Sequence, residues 1–271
     1  MKVQSHDFAN DAVEFTFKYN NVHQAIQMSS SRRPFVWTPS AMRAVSYGRN
    51  NLNQYSSVDQ IPYFYNENGC LSAGPFSATF DVLNRMTQVV VGGTTNDYVY
   101  DPSNREAQKS SNDVATGFLY DGQQMIEEYD DEGVLANRYI RGNRLDEIFI
   151  KIAGSSKTYL HHDRLGSVIA RTDNSGAVLN RYKYGIFGET PGLTGTPFGY
   201  TGQRYDSEVG LYNYKARNYS PSIGRFLQPD SIGFDAGDMN LYAYVGNDAI
   251  NLISCRNLAF TSVHSWLWRR I

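Results

Sequence analysis

The chain has 271 residues, 25 basic and 27 acidic side chains and a formal charge of -2. This balance provides no broad electropositive field for a phosphate backbone, so it argues against nucleic acid as a partner. Because 20 tyrosines and 14 phenylalanines suit half-buried pleated surfaces, the composition predicts β structure. No window approaches the roughly 18 apolar residues of a membrane span, and the N-terminus lacks the apolar core of a signal peptide.

Two cysteines, Cys70 and Cys255, lie far apart and belong to no CxxC or Cys/His cluster. They predict neither a disulfide framework nor a zinc site. The short motifs of phosphate, acyl-transfer, zinc-protease and dinucleotide chemistry are also missing from the sequence. We therefore expect no cofactor, no metal and no enzyme of an ordinary type.

Two repeated patterns occur in the first two thirds of the chain. An aromatic residue followed by aspartate recurs every 20 residues, as Phe80-Asp81, Tyr100-Asp101 and Tyr120-Asp121. A second pattern, YNENGCL and YDDEGVL with the weaker copy TDNSGAV, leads Asn, Asp or Glu residues into Gly69, Gly133 and Gly176. Glycine tolerates positive φ, so this pattern predicts tight hairpin turns.

The segments that flank these turns predict strands. They are short, rich in β-forming residues and roughly alternating: IPYFY, VLANRYIRG and SVIARTD. No segment shows a convincing helical period. A single hairpin cannot bury its own apolar face, so neighbouring hairpins must stack. We predict an all-β fold in which repeated β-hairpins over residues 1–190 dock side by side into one continuous curved sheet.

The remainder of the chain divides into two further units. Residues 191–253 are dense in Gly, Pro and Tyr and include GQRYDSEVGLYNYKARNYSPSIGRFLQPD, so we interpret them as a separate terminal module. Residues 254–271 change composition again and look foreign to what precedes them. This tail is too short to be a folded toxin domain, and its Trp and Arg residues favour an interface, namely Trp266, Trp268, Arg269 and Arg270.

Two long segments carry a resemblance to a known family. Residues 159–189, YLHHDRLGSVIARTDNSGAVLNRYKYGIFGE, resemble the repeat that leads into the core of bacterial RHS/YD-repeat proteins, relatives of the toxin-complex C components and the teneurins. Residues 198–251, which end in NLYAYVGNDAIN, resemble the RHS-associated core. The resemblance covers most of residues 10–253. It implies hairpins that spiral into a hollow shell, with the core closing one end and a toxic C-terminal polypeptide inside.

The resemblance also implies aspartyl autoproteolysis in the core, where two DPxG-like elements supply a base and an acid. Arg225 and Asp230 match positions near that active site, and the altered first element is Asp230-Ser231-Ile232-Gly233. The second element is replaced by Ser254-Cys255-Arg256-Asn257. Because serine cannot supply the second carboxylate, we predict that this chain has lost self-cleavage at that place.

Three other motifs are better explained by structural roles than by metal binding, calcium binding or glycosylation. His161, His162 and Asp163 are adjacent, and neighbours on a strand face opposite ways, so we expect a turn-flanking repeat rather than a metal site. The acidic run from Glu127 to Glu132 lacks EF-hand spacing and predicts a solvated turn. The acceptor sequence Asn218-Tyr219-Ser220 precedes a proline in a core of bacterial type and is predicted to carry no glycan.

The main hypothesis is a truncated structural and delivery component of an RHS-type polymorphic toxin system, without its own toxin domain. Its expected partners are a toxin, other shell segments, or further copies that pair through sheet edges. Its expected location is outside the bacterial cell or on its surface, reached by a specialised secretion system. One alternative is a secreted β-sheet module that recognises carbohydrate or peptide. Another is a toxin with an enzymatic tail, which the short tail disfavours.

Overall fold

The computed structural model describes residues 1–39, 44–144, 146–254 and 268–270. Within these ranges the regular structure consists of β-strands and short 3-10 helices, and α-helix is absent, which confirms the all-β prediction. The 3-10 helices are Arg33–Phe35, Tyr200–Gly202, Gly233–Ala236 and Val245–Asn247. No helix of the described part is long and apolar enough to cross a membrane.

The first 62 residues form two small antiparallel sheets. The strands of the N-terminal sheet are β1 (Lys2–Phe8), β2 (Asp11–Tyr19) and β3 (Ala25–Ser30). The strands of the second small sheet are β4 (Tyr47–Arg49), β5 (Tyr55–Val58) and β6 (Ile61–Pro62). The continuous sheet predicted for residues 1–190 therefore begins only after residue 62.

The central sheet has thirteen antiparallel strands that pair in the order of the sequence. They are β7 (Phe64–Tyr65), β8 (Leu71–Ala73), β9 (Ser77–Phe80), β10 (Met86–Val91), β11 (Thr94–Tyr100), β12 (Glu106–Ser111), β13 (Val114–Asp121), β14 (Gln124–Tyr129), β15 (Leu135–Arg141), β16 (Ile148–Ala153), β17 (Ser156–His162), β18 (Val168–Thr172) and β19 (Val178–Arg181). Every connection is a hairpin, which confirms the predicted side-by-side docking of hairpins.

The N-terminal sheet packs on the far end of the central sheet rather than extending its near end. Phe15 and Phe17 of β2 join Ile169 and Ala170 of β18 in one buried cluster. At the rim, Asp11 forms ion pairs with Arg181 at 2.5 Å and with Arg32 at 2.6 Å. Apolar burial therefore directs the first hairpin to residues more than 150 positions away, which local sequence patterns cannot show.

One turn recurs eight times among the residues that the structure describes, and it underlies both sequence patterns. In each copy an Asn or Asp side-chain oxygen accepts hydrogen bonds from the N–H groups two and four residues later. These side chains are Asn20, Asn50, Asn66, Asp81, Asp101, Asp130, Asp163 and Asp173. The third residue after each has positive φ, including the predicted Gly69, Gly133 and Gly176 at 78°, 76° and 80°. Tyr120-Asp121 differs because Asp121 pairs with Gln124 across a two-residue turn.

The 20-residue spacing arises because the turns that begin at Asp81 and Asp101 each bind the tyrosine of the next repeat. Arg85 pairs with Asp81 at 2.6 Å, and its guanidinium lies 4.8 Å from the ring centre of Tyr100. The Tyr100 hydroxyl donates to the carbonyl of Met86 at 2.9 Å. Arg105 and Tyr120 repeat this contact at 5.1 Å. Each repeat is therefore fixed to the next by a cation–π contact and a backbone hydrogen bond.

We expect Gly133→Ala to lower the free energy of unfolding by about 1–2 kcal/mol, because Gly133 has φ of 76° and a Cβ is disfavoured in that conformation. Open space surrounds the position, so any loss comes from backbone strain. Gly133→Asn should cost less, since Asn53, Asn84 and Asn104 occupy the same turn position. Urea unfolding measures the difference. Gly117→Ala is the control, and a cost as large there would contradict the conformational explanation.

The core module forms a four-stranded antiparallel sheet of short strands. They are β20 (Arg204–Asp206), β21 (Leu211–Asn213), β22 (Asn218–Ser220) and β23 (Arg225–Phe226). The module packs on one face of the central sheet, where Leu211 and Leu227 join Met86 and Val89 in a buried cluster. Phe198 packs similarly at the other end of that face. The chain then continues into β24 (Leu252–Ser254), which pairs with β25 (Trp268–Arg270).

A tyrosine cluster fills the centre of the core module. This packing explains why the segment from 202 to 230 is rich in tyrosine. The cluster contains Tyr200, Tyr212, Tyr214, Tyr219, Phe226 and Tyr244, all buried. Three hydroxyls donate to three consecutive carbonyls: Tyr200 to Ile186 at 2.8 Å, Tyr219 to Phe187 at 2.8 Å and Tyr212 to Gly188 at 3.0 Å. The rings thus fill the core while their hydroxyls donate to three carbonyl groups of the adjoining loop.

Candidate active site at the end of the core

Arg225, the first of the predicted site residues, lies on β23 and contacts the second small sheet. Its guanidinium lies 3.6 Å from the ring centre of Tyr55 and donates to the carbonyl of Asn53. Both partners come from a turn and strand more than 160 residues earlier. The structure therefore shows Arg225 joining the core module to the β4–β6 sheet.

Asp230, the second predicted residue, opens a tight turn directly after the core sheet. Its backbone carbonyl accepts the N–H of Gly233 at 2.9 Å, and its Oδ1 accepts the N–H of Ile232 at 3.2 Å. Its Oδ2 forms an ion pair with Arg217 at 2.8 Å. Arg217 in turn lies 3.7 Å from the ring centre of Phe226. The carboxylate is thus held by a cation that sequence reasoning did not identify.

Burial lowers the pKa of Arg217, and Asp230 opposes that effect. An ionised carboxylate in such a pair accepts hydrogen bonds but has no proton to donate. Acid catalysis would need a second carboxyl group. At the place expected for it, the last described residue before position 268 is Ser254, on β24. Cys255, Arg256 and Asn257 lie outside the described residues, as does Trp266.

A buried ion-pair network, which we call the latch, joins the core module to the central sheet. Arg204 and Asp206 of β20 meet Tyr98, Glu106 and Lys109 of β11 and β12. Arg204 pairs with Glu106, Lys109 lies 3.2 Å from Asp206, and the Tyr98 hydroxyl donates to Asp206 at 3.0 Å. The side chains of Arg204, Glu106 and Asp206 are 7%, 1% and 2% exposed. Removing one member would leave a charge in the interior without its partner.

Neighbouring charges favour the charged forms of Arg204 and Asp206, whereas burial outweighs Arg204 at Glu106 and raises the pKa of that carboxyl. Burial acts to lower the pKa of Arg204, but Asp206 and Glu106 outweigh it and raise that pKa. Burial acts to raise the pKa of Asp206, but Arg204 and Lys109 outweigh it and lower that pKa. Asn213 donates a further hydrogen bond to Glu106 at 2.6 Å. Arg204 and Asp206 therefore stabilise each other's charged forms in the interior.

A second polar contact lies beside the latch. Lys215 pairs with Asp146, and Gln203 donates to the other oxygen of Asp146 at 2.7 Å. Burial lowers the pKa of Lys215, and Asp146 opposes this. Gly202 lies so close that a Cβ would come within 2.4 Å of the Asp146 carbonyl oxygen. The backbone of the core module at Gly202 therefore packs directly against the backbone of this loop and leaves no room for a side chain.

The other three motifs noted in the sequence make hydrogen bonds or ion pairs within the fold. Asp163 opens one of the eight turns, as predicted. Glu127 pairs with Arg138 at 2.6 Å, and Asp130 opens another turn. Asn218 of the predicted silent acceptor sequence is buried, and its side chain accepts from Gln228 at 2.9 Å. Among the described residues, no group of three His, Cys, Asp or Glu side chains is arranged to hold a metal ion.

Three histidines meet where β1 packs on β17. The rings of His6 and His161 have centroids 6.3 Å apart, and Phe8 lies 4.9 Å from His161. Gln4 donates to the carbonyl of His162 at 2.8 Å. Burial lowers the pKa of all three histidines, that of His162 to about 4. The sequence could not show this group, because His6 lies 155 positions before His161.

We expect acid to weaken the fold through His162. Its folded-state pKa is about 4 and its ordinary value is 6.5, so the unfolded chain binds the proton first. Stability contributed by the neutral ring is complete above pH 6.5 and is lost as the pH falls towards 4, by up to about 3 kcal/mol. Half-buried Asp163, whose pKa is raised to about 6, acts with the opposite sign.

The comparison of wild type with His162→Gln isolates the His162 contribution, because Asp163 is common to both proteins. Urea unfolding at several pH values between 4 and 7 measures it. The variant should lose less stability on acidification, whereas His23→Gln, at an exposed turn position, should follow the wild type. Equal slopes for wild type and His162→Gln would contradict the explanation.

The fold and the latch together define a class of protein: a β-shell wall built from YD-type hairpins, with a tyrosine-rich core packed on one face. A family model described as Teneurin YD-shell matches residues 8–250. The chain belongs to this YD-shell family.

Sequence relatives include bacterial toxins. The tRNA3(Ser)-specific nuclease WapA of Bacillus spizizenii is 30% identical over 224 residues, which cover 77% of this chain and 10% of that protein. The double-stranded DNA deaminase toxin A of Burkholderia cenocepacia is 26% identical over 207 residues, covering 62% of this chain and 14% of that protein. The chain thus spans about a tenth of the length of the WapA proteins that it matches.

Among solved structures, the complex TcdB2-TccC3-Cdc42 superposes with a TM-score of 0.61 at 16% identity. The superposition covers 89% of this chain and 17% of that chain. At this level of identity the likeness establishes a shared fold and nothing more.

Proposed function

We propose that the chain forms the part of an RHS-type shell wall that carries the core, and that it encloses and presents a toxic polypeptide rather than turning over a substrate. The observation that supports this most is the face of the central sheet that the core module covers. Apolar clusters and the buried latch both cross that boundary. Such a joint serves to hold two parts together.

The names of the relatives suggest which cargo such a wall serves. One is a tRNA-specific nuclease and another a double-stranded DNA deaminase toxin. Activities that act on nucleic acid would belong to the enclosed polypeptide, since this chain has a formal charge of -2. Partners of this chain would be that polypeptide, further shell segments, or copies that pair through sheet edges. We place the assembled protein outside the bacterial cell or on its surface, delivered by a specialised secretion system.

We further propose that the core does not cleave the chain after the NDAINLI segment. Asp230 is engaged by Arg217, and Ser254 occupies the place expected for a second carboxylate. Intact-mass spectrometry of purified protein should give the mass of the uncut chain after prolonged incubation. A fragment that ends between residues 254 and 260 would overturn the proposal.

A gain-of-function variant makes this experiment sharper. Ser254→Asp combined with Cys255→Pro and Asn257→Gly restores the expected second element. If Asp230 still lies in a competent site, this variant should cleave itself, and adding Asp230→Asn should abolish the cleavage. Uncut protein in every case would indicate that the first element is also incompetent.

A further inference from the structure

A cleft of about 690 Å³, here called the N-terminal cleft, lies between the N-terminal sheet and the central sheet. One wall carries Gln4, His6 and Phe17, and the opposite wall carries Phe149, Ile150 and Tyr159. Leu160 packs beneath the core module, so its neighbours Tyr159 and His161 point to the other face. The cleft therefore lies on the face of the central sheet opposite the core, away from the latch.

The cleft runs past an edge strand. β1 has seven residues and lies at the edge of the order β1-β2-β3, and no described strand pairs with its other side. Lys2, Val3 and Gln4 all line the cleft although consecutive residues of a strand point to opposite faces. The space must therefore wrap around the edge of β1. An edge of this kind presents backbone N–H and C=O groups that pair readily with another strand.

Covering the walls of the cleft would bury apolar side chains that are now exposed. Phe149 is 47% exposed and Val3 is 50% exposed. Both residues line the cleft, together with the half-buried Ile150 and Tyr159. An extended segment with apolar side chains at every second position would cover this wall while its backbone pairs with β1.

The charges of the lining favour an acidic segment. Three cations line the cleft, Lys2, Arg144 and Arg164. The two carboxylates in the lining are engaged by backbone groups: Glu147 accepts the N–H of Arg144 at 3.3 Å, and Asp163 accepts two N–H groups of its own turn at 2.8 Å. Carboxylates of an incoming strand would meet this positive excess.

We propose that the N-terminal cleft binds an extended peptide strand of alternating apolar and acidic residues. The strand pairs with β1 and covers Phe149, Ile150 and Tyr159, and its acidic residues lie near Lys2 and Arg144. This binding goes beyond the proposed shell function, because it gives the face opposite the core a partner of its own.

Fluorescence anisotropy with the full chain and labelled peptides of about eight residues tests the proposal. The first peptide alternates Val and Glu, the second replaces every Glu by Lys, and the third N-methylates alternate amides of the first so that strand pairing is blocked. We expect saturable binding of the first peptide and an affinity at least about tenfold lower for each of the others. Equal affinities for all three peptides, or no saturable binding of the first, would overturn the proposal.

Two variants locate the site. Arg144→Glu and Phe149→Glu should each weaken binding of the acidic peptide at least about tenfold. Leu119→Glu is a matched control, since Leu119 is 46% exposed on β13 and lies outside the cleft lining, and its affinity should stay within about twofold of wild type. An unchanged affinity for both cleft variants would overturn the proposal.

Sedimentation without peptide tests whether a second copy of the chain, rather than a peptide, pairs with the edge of β1. Monomers that bind the acidic peptide support the proposal. A concentration-dependent dimer that leaves no saturable binding of the acidic peptide would assign the β1 edge to a second copy of the chain and overturn it.

Discussion

Replacing Arg204 by methionine should lower the free energy of unfolding by about 3–5 kcal/mol, since the substitution leaves Glu106 and Asp206 charged in a closed interior. Both carboxylates are almost completely buried, and Lys109 and Asn213 cannot compensate for the lost guanidinium. Arg204→Lys should recover part of the loss, because it keeps the charge but not the planar fork of donors. Urea or guanidinium unfolding at neutral pH measures these differences.

Arg138→Met is the control for this experiment. Arg138 also pairs with a glutamate, Glu127, but its side chain is 53% exposed, and such a pair contributes only about 0–1 kcal/mol. A loss for Arg204→Met no larger than that for Arg138→Met would contradict the role of the latch as the joint between core module and central sheet.

Tyr219→Ala should lower the free energy of unfolding by about 3–5 kcal/mol, because a fully buried ring leaves a cavity among packed aromatic residues. The ring centre of Tyr219 lies 4.6 Å from that of Tyr244 and 5.4 Å from that of Tyr214. Tyr219→Phe keeps the ring and should cost about 1–3 kcal/mol, because the carbonyl of Phe187 loses its buried donor.

The difference between the two Tyr219 variants separates packing from hydrogen bonding. Tyr47→Phe at a 48% exposed position should change the free energy of unfolding by less than about 0.5 kcal/mol. If Tyr219→Phe were as harmless as Tyr47→Phe, the tyrosines of the core module would be there for their rings alone, and the three hydroxyl–carbonyl contacts would be incidental.

Local features of the fold could be predicted from the sequence because their causes are local. Gly69, Gly133 and Gly176 were expected to adopt positive φ, and they do. The sequence alone could also have shown that both repeat patterns encode the same turn. In each copy the turn begins with Asn or Asp, and three positions later there is a residue that adopts positive φ. At Asn20 the third residue is His23, which hides the pattern.

Long-range contacts were beyond prediction for a physical reason. Glu106 and Arg204 lie 98 positions apart, and each looks like an ordinary surface charge in its own segment. Only the packing of the core module on β12 brings them together and removes water. The ion pair between Arg217 and Asp230 could not be predicted either, because it forms only when the turn after β23 brings Asp230 back towards Arg217. One sequence shows periodicity but not which distant faces meet.

The separate N-terminal sheet illustrates the same limit. Its first two strands alternate in burial, as strands of a continuous sheet would, so a continuous sheet over residues 1–190 was a reasonable expectation. Phe15 and Phe17 instead find an apolar surface at Ile169 and Ala170, and β18 becomes buried on both faces. Alternation establishes that a strand has an apolar face, and tertiary packing decides which surface covers it.

Amide hydrogen exchange of wild type and Arg204→Met tests the central claim most directly, which is that the core module and the hairpin wall are one cooperative body joined at the latch. The account predicts that the variant loses protection together in the wall, across β11 and β12, and in the core, across β20 and β21. Loss confined to the core strands, with β11 and β12 protected as in wild type, would show that the wall does not depend on the core and would contradict the account.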